Sequence, residues 1–410
     1  MKTEFGKYFR LERLCLKYGA VSIEGTEGWM YRVYSAIVLT FFVGLYPILL
    51  MVDLTKQGEF NEVVVGWFYA LAIAMDGSII IYTYFIRDHL RIVVNKLESH
   101  PFLAHKSRGA EHKERTLLSA WFSFHRKQGI TLLCTSIITV SVPICFTLAK
   151  RAMTTDHSDW KLAWGTITFF NVSHSPNFEL VWLYQNLVIF YISINMIPII
   201  LMMIGILALV TVQLKMLQSY LKRLVKLSIK EDNTDIREIN NFHQPHELWK
   251  SFYFHMENAI VYHLKITNVA KEVETAFHGP FFIMFMVTLV LMCLEVYRAS
   301  LISITDAQLI LIGVESITAF FPVMMVCYYG EELAFNSLKV SQIAFETDFV
   351  GTDKRFQKNL ILIIRRSQKI IRMKAGALIE ISMNTMIWIL RTSFSAYMML
   401  RTINSPTEHV

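Results

Sequence analysis

Asp76 and Glu315 stand near the middles of long apolar stretches, where an ionisable side chain is costly and normally faces the protein interior or a water-filled cavity. Each is either an interior carboxyl satisfied by neighbours such as Ser78 or Thr318, or a polar contact for a ligand or ion. The aromatics Phe68, Tyr69, Tyr184, Phe190 and Tyr191 lie in the outer halves of two such stretches. They form an interface belt or core, or they line an apolar pocket for a small hydrophobic molecule. His243 and His246 have metal-like spacing, but their polar loop offers no Cys or carboxylate partner set, so no metal site is expected. There is no Gly-x-Gly-x-x-Gly, phosphate-binding loop, His-Glu-x-x-His or Gly-x-Ser-x-Gly. Neither an enzyme nor a cofactor is expected.

The elements that must position these residues follow from composition. With 54% hydrophobic residues, 18% charged residues and a mean hydropathy of +0.40 over 410 residues, the chain reads as an integral membrane protein. No signal peptide is visible, so the first span directs insertion. The five cysteines are scattered, four of them in apolar runs, and read as packing residues rather than a disulfide or zinc framework. Apolar stretches of spanning length fall at Val33–Val52, Val63–Ile86, Gly129–Ala149, Leu180–Leu214, Ala276–Leu294, Ala307–Gly330 and Ala375–Leu400. These predict an all-α membrane protein of seven transmembrane helices.

Lysine and arginine are distributed unevenly between the two sides. The segments before the first span and around 86–128, 213–274 and 331–374 hold 33 of the 40, the alternate segments hold 6, and Arg391 lies within the last span. The cytoplasmic side carries the excess, which predicts a cytoplasmic N-terminus and an extracellular C-terminus. The Asn171-Val172-Ser173 sequon falls on the expected outer side, which makes Asn171 the candidate glycosylation site. The fourth span has 35 residues and would reach roughly 52 Å as a helix, with Pro198 inside it. Spans four, five and six are therefore expected to extend into the cytoplasm and pack together there. Lys230–Asn241 reads as a loop, and the basic run Arg365, Arg366, Lys369, Arg372 and Lys374 as a face for anionic headgroups. The closing stretch carries Glu380, Arg391 and the hydroxyls Ser382, Thr385, Thr392, Ser393, Ser395, Tyr397 and Thr402, a polarity that lipid would not reward. Water contact along that helix is expected.

Cys327-Tyr328-Tyr329-Gly330-Glu331-Glu332-Leu333 with Ser337 and Ala344, then Ser382-Met383-Asn384-Thr385 and Thr392 through Arg401, resembles the closing pattern of the insect odorant receptor family. Phe345, Phe349 and Met398-Met399 depart from the family's commoner residues at their positions. The resemblance implies the odorant-tuning subunit of a heterotetrameric, ligand-gated, non-selective cation channel in the plasma membrane of olfactory sensory neurons. Its partners would be the shared co-receptor, a volatile ligand, membrane lipid and permeant cations, with no nucleic acid. The compact connection between spans four and five is unlike the co-receptor's longer insertion.

On this plan residues 1–330 carry six spans, cytoplasmic loops and an outward-facing ligand pocket. Residues 331–374 form a cytoplasmic anchor and assembly segment, 375–402 the pore-lining seventh span, and 403–410 an extracellular tail. The family pocket, transferred by depth and helical phase, falls on Ile73, Asp76, Ser141, Cys145, Leu187, Phe190, Tyr191, Leu311, Glu315 and Thr318. The constriction falls near Met399, with Tyr397, Met398 and Thr402 around it. Arg391 would either face the pore or pair with a carboxylate on a neighbouring helix, the second being favoured. Among rivals, a G-protein-coupled receptor requires an extracellular N-terminus. A gustatory receptor channel carries a different closing motif, and a transporter would show an internal repeat.

Overall fold

The computed structural model describes residues 8–25, 27–55, 60–153, 162–165, 167, 175–231, 246–303, 308–350, 352–376 and 378–404. Its order is α1 (Arg10–Tyr18), α2 (Trp29–Val38), a π-helical turn (Leu39–Gly44), α3 (Leu45–Leu54), α4 (Phe60–Leu97), α5 (Glu111–Met153), α6 (Asn177–Glu231), α7 (His246–Leu301), α8 (Gln308–Phe345), α9 (Lys354–Ser367), β1 (Lys374–Ala375), β2 (Ile379–Glu380) and α10 (Met383–Asn404). The turn joins α2 and α3 into one continuous span, Trp29–Leu54. Among the described residues six helices are long and apolar enough to cross a membrane; they contain the first five expected spans and the sixth from Gln308 onward. The seventh, α10, has 22 residues, roughly 33 Å of helix. Its hydroxyls, Arg391 and Arg401 keep it out of that strongly apolar set.

Helix α6 is the axis of the bundle. Its most apolar window is 89% buried, against 17% for that of α5, so α6 is surrounded by protein and α5 is largely peripheral. It packs on α1, α4, α5, α7 and α8. A helix that is apolar all round is buried in this way or faces lipid. At 55 residues α6 spans about 80 Å, well beyond a hydrocarbon core of roughly 30 Å. Over its C-terminal half it stays packed on α7 and α8, where buried polar groups pair across helices. Tyr262 donates to Gln213 Oε1 at 2.6 Å, and Gln213 Nε2 donates to the Phe102 carbonyl at 3.0 Å. Gln218 Nε2 donates to the Asn336 carbonyl at 2.9 Å, and Lys215 pairs with Glu332 at 2.6 Å. Paired, these groups avoid the desolvation penalty of an orphaned polar atom.

The closing stretch differs from the expected helix over Ala375–Leu400. Lys374 pairs with Glu380 and Ala375 with Ile379 as an antiparallel hairpin, and the helix begins only at Met383. Gly376 supplies φ +62° in the turn, and its N–H donates to the His278 carbonyl of α7 at 2.8 Å. Ser382 then accepts the Thr385 N–H at 3.3 Å, an N-terminal cap. Glu380 is thus a strand residue bonded to Arg372, not a charge within the last span. The loop expected at Lys230–Asn241 lies, from residue 232 onward, outside the described residues, as do His243 and Asn171.

Candidate functional site

Helices α4, α5, α6, α7 and α8 leave a cavity of about 210 Å³ among them. From α4 come Phe68, Tyr69, Ile73, Met75, Asp76 and Ile79, and from α8 Glu315, Thr318, Ala319, Phe321 and Pro322. Helix α5 adds Leu132, Thr135, Ser136, Thr139 and Val140. Helix α6 adds Ile189, Ile192, Ser193, Met196 and Met203, and Trp164 closes one side. The walls are mostly aliphatic, thioether and aromatic, with few polar groups, the usual make-up of a small-molecule site.

The two mid-span carboxyls have different surroundings. Glu315 is satisfied: Tyr69 donates to its Oε1 at 3.0 Å and Arg298 to its Oε2 at 3.0 Å. Arg298 also bonds Glu295 at 3.2 Å, and its guanidinium lies 4.8 Å from the Phe68 ring centroid and 5.5 Å from that of Tyr69. Asp76 makes no hydrogen bond or ion pair among the described residues. Ser78 donates instead to the Ala74 carbonyl at 2.6 Å, and Thr318 is engaged with the Val314 carbonyl at 2.9 Å and with Thr139 at 2.7 Å. The neighbours expected to satisfy Asp76 are occupied within their own helices or across α5 and α8.

A second chamber of about 420 Å³ adjoins the first. Tyr69 lines both, Glu315 faces the first and Arg298 the second, so the Tyr69–Glu315–Arg298 chain is the partition between them. Lys150, Pro143, Leu162, Leu311 and Gln308 line the second chamber.

Of the ten pocket positions expected from sequence, Ile73, Asp76, Glu315 and Thr318 meet in the first cavity and Leu311 lines the second. The other five face elsewhere. Leu187 and Phe190 are 48% and 58% exposed, Cys145 is exposed, and Ser141 bonds back to its own helix at Ile138. Tyr191 stacks on Phe42 with centroids 5.0 Å apart and donates to the Gly19 carbonyl at 2.8 Å, which ties α6 to the N-terminal segment. The hydroxyl-rich Thr135, Ser136 and Thr139 and the thioethers of Met75, Met196 and Met284 were not expected. Three hydroxyls within five residues of an apolar stretch was the available signal.

On α10, Met398, Met399 and Thr402 are exposed, whereas Tyr397 is buried against Val64, Cys293 and Tyr297. Tyr397 therefore packs within the subunit and does not stand beside Met399. Arg391 is exposed, and the favoured pairing with a neighbouring carboxylate is not formed among the described residues.

The arrangement defines a multi-pass helical membrane protein with a predominantly apolar cavity between five of its helices. Residues 105–394 match the family model described as 7tm Odorant receptor. The chain belongs to that family, whose members are receptors and not enzymes. It is 25% identical over 168 residues to Odorant receptor 85b of Drosophila melanogaster, covering 40% of this chain and 43% of that one. It is 21% identical over 161 residues to Odorant receptor Or1 of Anopheles gambiae, covering 39% of each. These matches thus span less than half the length of either relative. In fold the chain is similar to the insect olfactory receptor OR5 from Machilis hrabei in complex with eugenol. The TM-score is 0.80 at 12% identity, covering 98% of this chain and 99% of that one.

Proposed function

We propose that the chain is the odorant-tuning subunit of a ligand-gated, non-selective cation channel, assembled as a heterotetramer with a shared co-receptor. A small, volatile, apolar molecule opens it. The observation that carries this reading is the 210 Å³ cavity with apolar walls and few polar groups, lined by five helices of an odorant receptor bundle. A related fold solved with eugenol supports the class of ligand, a small organic molecule. Within the cavity, Ile73, Asp76, Glu315 and Thr318 are the contacts retained from the sequence reading. A ligand that binds the open arrangement better by a few kcal/mol is enough to shift the channel from mostly closed to partly open.

The lysine and arginine imbalance supports a cytoplasmic N-terminus, an extracellular C-terminus and extension of α6, α7 and α8 into the cytoplasm. It also supports Asn171 as an outer glycosylation site. The final helix lines the pore, with Met398, Met399 and Thr402 at the narrowing, in the plasma membrane of olfactory sensory neurons. The test is an odorant panel on cells expressing the chain with and without the co-receptor. Odorant-evoked cation current only in the pair is expected. Silence across the panel, while a control receptor responds with the same co-receptor, fails the reading, and current without the co-receptor favours a gustatory-type assembly. An epitope tag on residue 1 that stains intact cells overturns the topology.

A further inference from the structure

The polar groups of the first cavity are the carboxyls of Asp76 and Glu315 and a few hydroxyls. Thr135 donates to the Leu132 carbonyl of its own helix at 3.0 Å, and Thr139 and Thr318 share a 2.7 Å hydrogen bond, so one donates to the other and at most one of the two donates to a carbonyl of its own helix. The thioethers are weak acceptors at most. Glu315 already takes the Tyr69 hydroxyl and the Arg298 guanidinium. Asp76 lines the same cavity and has no hydrogen bond or ion pair among the described residues. An ionised carboxylate only accepts hydrogen bonds, and a polar group held among apolar walls without a partner is destabilising until something supplies one.

We propose that Asp76 is the polar anchor of the cavity and that the ligand is an apolar molecule carrying one hydroxyl, which donates to the Asp76 carboxyl. This rests on the reading of the chain as an odorant-binding subunit and narrows its ligand class. The size of the chamber sets the body of the molecule: a cavity of roughly 150 Å³ accommodates benzene, and this one is about 210 Å³. A six-membered ring or short alkyl chain bearing a one- or two-carbon polar arm matches it. A hydrocarbon of equal size fills the walls equally well but offers Asp76 nothing, and an ether offers only an acceptor, which leaves the ionised Asp76 carboxylate unpartnered. Discrimination therefore comes from the carboxyl and not from shape.

Two pairs of isomers isolate the donor: 2-phenylethanol against benzyl methyl ether, and 1-heptanol against hexyl methyl ether. The thermal midpoint of the purified full-length chain in detergent is followed with each compound, alongside currents from the co-expressed channel. The wild type is expected to be stabilised by an alcohol at about tenfold lower concentration than by its ether isomer. Asp76→Leu abolishes that preference, while Asp76→Asn, which keeps a carbonyl acceptor, retains it. Equal response to alcohol and ether in the wild type, no shift from any of the four compounds, or an undiminished alcohol preference in Asp76→Leu overturns the anchor. Alcohol-selective stabilisation with no current from any compound would uphold the anchor and fail the channel reading. Currents evoked equally by both members of each pair would do the reverse.

Discussion

Arg298 holds a single guanidinium between Glu295 at 3.2 Å and Glu315 at 3.0 Å, with all three side chains at most 9% exposed. Removing the one cation from such a site leaves two carboxylates facing each other out of water, and breaking a buried pair in this way costs roughly 3–5 kcal/mol. Arg298→Met is therefore expected to lower the thermal midpoint and the surface yield sharply. Glu315→Leu should cost less, because Arg298 keeps Glu295. Surface biotinylation and a melting curve on the two variants check this, and equal losses would contradict it. Both mid-span carboxyls could be found in the sequence, but which one was satisfied could not. Depth in a span fixes a residue's height, while the partner across the interface depends on how two helices face each other. Helix facing also explains Leu187, Phe190 and Cys145: in a membrane helix, core and lipid are both apolar, so hydropathy does not mark the inward face.

The Cys327–Leu333 motif has a packing explanation at the junction of α8 with the start of α10. A Cβ at Gly330 would stand 2.9 Å from the Ile381 carbonyl oxygen and 2.6 Å from an Ile381 side-chain carbon. Only glycine lets α8 approach the residue that leads into the Ser382 cap. Cys327 and Leu333, one helical turn to either side, are fully buried. Gly330→Ala must push backbone apart, and overpacking of this kind typically costs 1–3 kcal/mol. The variant is expected to melt lower and to show altered basal current, because the displaced segment is the base of α10. A melting point within error of the wild type would refute the close approach. The motif was legible as a pattern, but its role was not, since the hairpin at Lys374–Glu380 interrupts what reads in the sequence as one continuous apolar helix. Gly376 and Ser382 are the residues that end one element and start the next, and both are common enough elsewhere to pass unnoticed.

Across the whole molecule, α10 has two faces with different surroundings. Ile389, Ser393 and Tyr397, spaced four apart, are buried against the subunit's own helices, and α10 packs on α7 and α8. The opposite side presents Phe394 at 57%, Met398 at 46% and Met399 at 68% exposure. In a tetramer with α10 at the centre, this outward side meets its counterparts, and a ring of methionine side chains closes a path by excluding water. A hydroxymethyl group in place of the thioether removes apolar surface and adds a hydrogen-bonding group, which favours a hydrated opening. Met399→Ser is therefore expected to raise basal current in the co-expressed channel and to leave the fold intact, because the side chain is 68% exposed. Ser393→Leu, on the buried face, should reduce surface yield through overpacking without raising basal current. Whole-cell recordings normalised to surface protein separate the two effects. Met399→Ser currents matching the wild type, both basal and evoked, would remove Met399 from the gate and leave the exposed side of α10 to lipid or to a partner subunit's flank.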